Sequence, residues 1–297
     1  MKIDYSDYPA LFRAADSASG AAQQGYLRLT KATLILLVTG AGLAAVSGEF
    51  PAAKSGFAVA SAVVLAASLL LSVYLQSLNL EQVWYGGRAV AETGRSMMWR
   101  YVTGADPFPM DLAPAEAERK FLADLGSMAR ERKQLAFGFG GEFAGEPQIT
   151  ERMRQARTAS LEERKDTYLS ERIQDQRLWY GKRAKSHLSA GNRYFTVIAL
   201  SQLLALASAI ALVHWPDAKI QLTGVFASLA SALMAWIQVK RHKELVQAYS
   251  VAELELSFVQ EQAEQIVSDR DLSDFVADAE KAISREHTLW IAKRDRI

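Results

Sequence analysis

Four apolar stretches without a charged residue dominate the pattern of hydrophobic and polar positions along the chain. They lie at Ala32–Gly48, Ser55–Leu80, Tyr194–Pro216 and Ile220–Val239. A helix needs about 20 apolar residues to cross a bilayer, and each stretch is near or above that length. We therefore predict an all-α integral membrane protein with four transmembrane helices and long helices outside the bilayer.

The four stretches form two hairpins, at residues 32–80 and 194–239, because a short connection joins each pair. The connections are Glu49–Lys54 and His214–Lys219. A large soluble helical protein with two buried hairpins is the alternative, since a buried helix also gives a continuous apolar run. Two hairpins of matching construction in one chain favour the membrane.

Lysine and arginine are unevenly distributed around the hairpins. The two connections carry only Lys54 and Lys219, whereas the opposite flanks are dense in cations. Those flanking cations include Arg28, Lys31, Arg88, Arg95, Arg100, Arg177, Lys182, Arg183, Lys185, Arg193, Lys240, Arg241 and Lys243. Short loops that are poor in Lys and Arg face outward. We therefore expect a multi-pass protein of the cell inner (plasma) membrane, with both termini and the segment Arg88–Arg193 cytoplasmic.

The charged residues crowd into the parts of the chain outside the apolar stretches. The chain has 34 basic and 33 acidic residues, a net charge of +1 and no cysteine. The two signs alternate along the predicted helices and form no basic stripe, so we expect no nucleic-acid partner. The lack of cysteine excludes disulfides and thiolate sites.

The sequence contains no pattern typical of a catalytic site. Its four histidines are His187, His214, His242 and His287. None stands at ligand spacing to another histidine or to a carboxylate pair. There is no nucleophile elbow and no phosphate-binding loop. We predict a protein that is not an enzyme and that has neither a metal site nor a cofactor.

A glycine-rich break divides the chain into two modules. Apolar residues recur at helical spacing between Met110 and Ala136, where Asp111 and Pro114 are start signals, and the run Phe137–Pro147 then interrupts the pattern. We predict a first module at residues 1–136, a linker at 137–150 and a second module at 151–297.

An apolar seam follows the fourth stretch, at the alternating four-three spacing of a coiled coil. Its members are Leu245, Tyr249, Ala252, Leu256, Val259, Ala263 and Ile266. Such a seam needs a partner helix. Another helix of the same chain is the default, and the same helix of a neighbouring subunit is the alternative, in which Leu245, Tyr249, Leu256, Val259 and Ile266 form a cytoplasmic oligomer seam.

A short motif containing Trp-Tyr-Gly occurs twice. It appears in Gln82–Ala89, after the first hairpin, and in Arg177–Ala184, before the second. Because the two copies stand in opposite order relative to their hairpins, the echo indicates either a mirrored pairing of cytoplasmic helices or a coincidence.

Three segments carry a family resemblance: two flank the hairpins, and the third lies farther along the chain. They are Trp84–Glu92, Tyr168–Tyr180 and Phe275–Trp290, the last with a central glutamate and a final tryptophan. Together with the hairpins they resemble the SLATT domains, two-transmembrane effector domains that occur beside SMODS nucleotidyltransferases and SLOG sensors in bacteria. Two SLATT-like modules in tandem would cover nearly the whole chain.

The resemblance implies a membrane effector of a bacterial conflict or anti-phage system that forms or regulates a pore when it is triggered. The chain contains no recognisable sensor domain, so a sensor protein, a nucleotide ligand or the lipid bilayer itself would supply the trigger. A non-conducting, membrane-anchored interaction or signalling module is the alternative function.

Polar residues on the membrane helices are the candidates for a pore wall. They are Ser61, Ser68, Ser72 and Gln76 on one face of the second helix, and Ser228 and Ser231 on the fourth. The alternative is that these small residues let helices approach closely. Asp, Glu, Lys and Arg are absent from the four stretches, which disfavours coupled transporters and favours a passive pore. Because two hairpins cannot enclose a channel, we expect a homo-oligomer.

Overall fold

The computed structural model describes residues 2–47, 50–131, 145–215 and 222–294, and side chains as far as residue 284. These parts of the chain contain helices and no strand. The α-helices are α1 (Ala10–Val46), α2 (Lys54–Ser77), α3 (Leu80–Thr103), α4 (Pro114–Glu131), α5 (Glu151–Arg157), α6 (Leu161–Tyr168), α7 (Asp175–His214), α8 (Thr223–Lys240), α9 (His242–Glu261) and α10 (Asp269–Arg294). A π-helical turn (Leu169–Gln174) joins α6 to α7, and short 3₁₀ turns lie at Tyr5–Asp7, Pro51–Ala53 and Gln262–Gln265.

Three helical stretches are long and apolar enough to cross a membrane. They are Ala10–Val46, Pro51–Thr103 and Leu161–His214, which contain the first three predicted spans. Helix α8 covers most of the fourth span with 18 residues, at the short end of what a bilayer requires, and it is not one of the three. The structure therefore confirms an all-helical membrane protein, and the count of four spans stays a prediction.

The chain divides into two compact units. The first, here called the polar unit, comprises Met1–Gln23, Glu81–Ala184 and Gln247–Ile297. The second, here called the hairpin unit, comprises Gln24–Leu80 and Lys185–Val246. Helices α1 and α7 each contribute residues to both units. In each of these helices, an apolar segment continues a helical segment of mixed polarity.

A left-handed residue follows the second helix of each hairpin. Asn79 (φ 49°) separates α2 from α3, and Arg241 (φ 48°) separates α8 from α9. Asparagine adopts this conformation more readily than arginine does. A left-handed residue thus ends the second helix of both hairpins, which repeats the order of long helix, membrane helix, left-handed residue and helix.

Aromatic side chains form the core of the polar unit. Tyr101, Phe108 and Phe121 contact one another with ring centroids 5.1 to 6.0 Å apart, and Trp99 packs edge-on against Tyr168 at 5.6 Å. All five are at most 1% exposed. Helix α4 begins at Pro114 as predicted. The predicted linker lies mostly outside the described residues.

Candidate functional site

The serine face of α2 packs against α1. Ser61 Oγ donates a hydrogen bond to the Gly40 carbonyl at 2.8 Å, and Ser68 Oγ donates one to the Thr33 carbonyl at 3.2 Å. Both serines are buried, at 6% and 2% exposure. Within the described chain, these two hydroxyls therefore act in the packing of the first hairpin, which is the alternative that the sequence left open.

The two helices approach closely at Gly40. A Cβ atom placed on Gly40 would lie 2.7 Å from Leu65 Cδ2 and 2.8 Å from Leu65 Cγ, closer than Cβ contacts come in proteins. Gly42, two positions further along α1, has nothing within 4 Å of the same position. Small residues at such contacts let membrane helices pack backbone to side chain.

The other predicted pore residues lie closer to the surface of the chain. Ser72 and Gln76 of α2 are exposed, as is Ser231 of α8, whereas Ser228 is half-buried. The hydroxyls of Ser72, Ser228 and Ser231 bond to carbonyls of their own helices. Their role as a pore wall stays a prediction.

A pair of histidines lies at the start of the second hairpin. His187 of α7 and His242 of α9 are 3.0 Å apart between their Nδ1 atoms, so one of the two nitrogens carries the proton and the other accepts it. His242 is 4% exposed, and its Nε2 atom is buried without a partner among the described residues. Burial and the charge of Lys240 lower the pKa of His242. The two histidines are 55 positions apart in the sequence, so their spacing did not indicate that they form a pair.

Both copies of the repeated motif lie at close helix contacts within the polar unit. A Cβ on Gly87 of α3 would lie 3.1 Å from the Ala15 carbonyl oxygen of α1, and Ser19 donates a hydrogen bond to the Trp84 carbonyl. A Cβ on Gly181 of α7 would meet the carboxylate of Glu253 in α9. The first copy thus contacts the N-terminal part of α1, before the first hairpin, and the second copy contacts α9, after the second hairpin. This arrangement favours the mirrored pairing of cytoplasmic helices.

The predicted seam begins in α9 and ends just beyond it, and most of its residues are buried within the chain. Tyr249, Leu256 and Ile266 are buried, at 9%, 1% and 6% exposure, whereas Leu245 and Val259 are half-buried. Tyr249 packs against the rings of Trp179 and Tyr180, with centroids 5.3 and 5.6 Å away. This packing agrees with the intramolecular alternative. That the seam also contributes to contacts between subunits stays a prediction.

Two buried arginines bind backbone carbonyls at the end of α3 and in the segment that follows it. Arg157 of α5 donates hydrogen bonds to the carbonyls of Tyr101, Phe108 and Pro109 at 2.7 to 2.8 Å. Arg164 of α6 donates to the Thr103 carbonyl and pairs with a carboxylate of α10. Carbonyls at a helix C-terminus attract cations. Helices α5 and α6 are therefore held to the first part of the chain, although they follow the predicted linker.

A buried ion pair joins the two family-like segments of the second module. The Arg172 guanidinium donates two hydrogen bonds to the Glu280 carboxylate, at 2.9 and 2.8 Å, and Tyr168 donates a third at 3.0 Å. The two charged side chains are 3% and 1% exposed. Arg172 and Tyr168 lie in the segment Tyr168–Tyr180, and Glu280 lies in Phe275–Trp290. The family resemblance involves both segments, but no sequence pattern indicates that they contact each other.

The charges of this pair stabilise each other. Burial would raise the pKa of Glu280, but the Arg172 charge and hydrogen bonds from Arg172, Tyr168 and Ser96 hold that pKa below its ordinary value. Burial would likewise lower the pKa of Arg172, and the Glu280 carboxylate more than offsets this. Burial raises the pKa of Tyr168 well above its ordinary value. The pair is therefore ionised and the tyrosine neutral.

The described residues offer no metal centre. No group of three or more His, Asp or Glu side chains in this part of the chain could hold a metal ion.

Family models match the chain in two consecutive blocks. Residues 9–165 match the model described as SMODS and SLOG-associating 2TM effector domain 3, and residues 168–290 match SMODS and SLOG-associating 2TM effector domain 1. The first match continues beyond the predicted linker and takes in α5 and most of α6. No curated protein and no solved structure matches the chain.

Proposed function

Because the chain belongs to the SMODS and SLOG-associating 2TM effector (SLATT) family, with two such domains in tandem, we propose that it assembles into an oligomeric pore that opens in response to a signal from the cytoplasmic side. The setting is a bacterial conflict or anti-phage system. The observation that carries the proposal is the exposed surface of the apolar helices. Only 6% to 11% of the residues in their most apolar segments are buried within one chain.

The composition of the apolar segments supports a passive pathway. No Asp, Glu, Lys or Arg occurs in the four apolar stretches. Coupled transporters and pumps place an ionisable residue at membrane depth, and a weakly selective pore needs none. With Ser61 and Ser68 engaged in hairpin packing, Ser72 and Gln76 are the polar groups of α2 that would line the pathway.

An outward apolar stripe on α9 supports self-assembly. Val251, Leu254 and Phe258 follow the spacing i, i+3, i+7 and are 55% to 58% exposed, on a helix outside the apolar stretches. Single exposed apolar residues are ordinary, but aligned ones mark interaction surfaces. We assign this stripe to a second copy of the chain.

Two variants of neighbouring leucines test the assembly. Leu254→Glu places a charge on the outward stripe and should convert the oligomer into folded monomers in mild detergent. Leu256→Glu places the same charge in the core of the polar unit, where Leu256 is 1% exposed, and should unfold the unit. Light scattering and circular dichroism on both variants distinguish the effects. An unchanged oligomer mass in Leu254→Glu contradicts the assigned stripe.

Reconstituted liposomes test the pore itself. Full-length protein should release potassium and dissipate an imposed membrane potential, and Gln76→Leu should reduce the current without changing subunit mass, because a large apolar side chain in a narrow pore promotes dewetting. Met234→Leu, an apolar exchange on α8, is the control. Protein that inserts and assembles but never conducts, with or without an added trigger, would favour the non-conducting interaction module.

Accessibility labelling tests the proposed orientation. The chain has no native cysteine, so single cysteines report cleanly. Ala52→Cys, in the first connection, should react with an impermeant thiol reagent in intact cells, and Ser170→Cys, exposed in the polar unit, should react only after lysis. Labelling of Ser170→Cys in intact cells would overturn the cytoplasmic placement.

The trigger comes from a sensor protein or from a nucleotide in this proposal. Both would act on the polar unit, because its helices hold the charged and polar groups that either partner needs.

A further inference from the structure

One face of α7, called here the α7 face, is uncovered where the helix enters its apolar segment. It lies in the hairpin unit, and an open groove follows it along the helix. Its polar residues recur every three or four positions, which places them on one side of the helix. They are Lys185, Ser189, Asn192, Arg193 and Thr196, and all five are exposed.

The α7 face continues into the apolar segment. Leu200 and Leu203 follow Thr196 at spacings of four and three, and they are 54% and 61% exposed. A helix rises about 1.5 Å per residue, so about 21 Å separate Ser189 from Leu203 along the axis. One leaflet of a bilayer, with its head groups, is about 20–22 Å thick. Polar groups and an apolar surface therefore follow each other over the length of one lipid molecule.

The polar end of the α7 face is cationic. The chain has no Asp or Glu between Asp175 and Asp217, and five Lys and Arg residues lie in that interval. Arg193 is the last of the five and directly precedes the apolar stretch that begins at Tyr194. Anionic lipids make the cytoplasmic surface of a membrane negative. Charge complementarity therefore favours an anionic lipid over a zwitterionic one.

Three neighbouring side chains form a phosphate-binding group. Ser189 stands three positions before Asn192 and four before Arg193, so its side chain neighbours both. None of the three has a side-chain hydrogen bond or an ion pair with another described residue. A guanidinium binds phosphate through paired N–H donors, and the hydroxyl and the amide add further donors. Lys185 lies about 12 Å from Arg193 along the axis, so it attracts the anionic surface and does not share this phosphate.

The corresponding position of the first hairpin lacks these groups. Lys31 is the last cation before the apolar stretch that begins at Ala32, and it is also exposed. The residue four positions earlier is Leu27, and the Thr30 hydroxyl already donates to the Tyr26 carbonyl. A phosphate at Lys31 would therefore meet a charge without the adjoining donors.

We propose that the α7 face binds an anionic glycerophospholipid, with the phosphate at Ser189, Asn192 and Arg193. An acyl chain lies along Leu200 and Leu203 and covers apolar surface that one chain leaves exposed. This binding goes beyond the proposed function, since it requires neither a pore nor an oligomer. The two share only the cytoplasmic orientation of this end of α7, which binding in detergent does not require.

Native mass spectrometry of the full-length protein in mild detergent tests the site. The lipid probes are phosphatidylglycerol, which is anionic, and phosphatidylethanolamine with the same acyl chains, which is zwitterionic. Phosphatidylglycerol should bind at least about tenfold more tightly, because its phosphate keeps a net charge for Arg193. Glycerol 3-phosphate has the phosphate without acyl chains. It should compete at least about tenfold more weakly than the lipid, because it leaves the apolar part of the face unused.

Matched variants locate the lipid. Arg193→Gln should weaken phosphatidylglycerol binding by about tenfold, the loss of one charge-assisted hydrogen-bonding group. Lys185→Gln removes a more distant charge and should weaken it by about fivefold. Lys31→Gln is the control, with the same loss of charge before the first apolar stretch, and should change the affinity by less than about twofold because the adjoining donors are missing there. All three residues are exposed, so circular dichroism should show unchanged folding.

Four results would overturn the site. The first is equal binding of the two lipids. The second is an equal loss in Arg193→Gln and Lys31→Gln, which indicates diffuse attraction to anionic lipid. The third is glycerol 3-phosphate competing as well as the lipid, which indicates a site for a soluble phosphate. The fourth is a lower subunit mass in Arg193→Gln, which assigns the face to a second copy of the chain.

Liposome currents separate this site from the pore. Protein that conducts but does not prefer phosphatidylglycerol contradicts only the lipid site. Protein that binds phosphatidylglycerol at the α7 face but never conducts contradicts only the pore.

Discussion

The close contact at Gly40 makes the packing of the first hairpin directly testable. Gly40→Ala adds a methyl group that would lie 2.7 Å from Leu65 Cδ2, so either Leu65 changes rotamer or the helices separate. Overpacking of this kind costs about 1–3 kcal/mol. Separation would also lengthen the Ser61 hydrogen bond to the Gly40 carbonyl, and such bonds between membrane helices contribute about 0.6 kcal/mol on average.

Gly42→Ala is the matched control for this change. It makes the same substitution in the same helix at a position where nothing lies within 4 Å of the added carbon. Any gain in helix propensity is common to both variants, so their difference isolates the contact. We expect Gly40→Ala to be less stable than Gly42→Ala by about 1.6–3.6 kcal/mol, the sum of the two effects.

Unfolding by SDS in mixed micelles, followed by circular dichroism, measures the difference. Combining Gly40→Ala with Leu65→Ala should recover the clash part of the loss, because the second change removes the atoms that the new methyl group meets. Equal stability of Gly40→Ala and Gly42→Ala would refute the packing. The serine face of α2 would then be available to line a pathway.

Three further predictions concern residues that the fold brings together. Ser68→Ala should lower the free energy of unfolding by about 0.6 kcal/mol, and Ser68→Leu should disrupt the hairpin. Unfolding in SDS and the subunit mass measure both effects. Normal assembly with an altered current in Ser68→Leu would instead indicate that this face lines the pore. The pKa of His242 is lowered from its ordinary value of 6.5, so the folded protein binds fewer protons than the unfolded chain. The contribution of His242 to the free energy of unfolding is therefore fully present above about pH 6.5. It is lost as the pH falls through the lowered pKa. Thermal unfolding between pH 5 and 8 should show this loss, and His242→Gln should show less of it; identical pH profiles would rule out His242 as the group responsible. Glu280→Gln should destabilise the polar unit by about 3–5 kcal/mol because it leaves the Arg172 charge buried and unneutralised. Replacing Arg172 and Glu280 together by Met and Leu should recover most of that loss in chemical unfolding, and losses that simply add would contradict a coupled pair.

Local pattern was sufficient for the helices themselves. The apolar runs located three candidate membrane spans, and Pro114 marked the start of α4, because both signals depend on contiguous residues. The resemblance to SLATT domains, which depends on the hairpins and on three short segments outside them, is confirmed by the family matches.

The face of a helix could be predicted, but not what lies opposite that face. Ser61 and Ser68 do share one side of α2, as their spacing requires, and the structure shows that the α1 backbone covers them. Helix α9 shows the same limit, because it is apolar on two sides. Leu256 faces the core while Leu254 faces outward, and periodicity alone favoured the first set without identifying the second.

By itself the sequence determined the helical class, the apolar segments and the family, since hydrophobic period, length and motif are properties of contiguous residues. Only the tertiary structure decided which distant groups meet. Arg172 and Glu280 are 108 positions apart, and His187 and His242 are 55 apart. Each site depends on how helices cross, and a crossing is set by the packing of whole surfaces, which no local pattern contains.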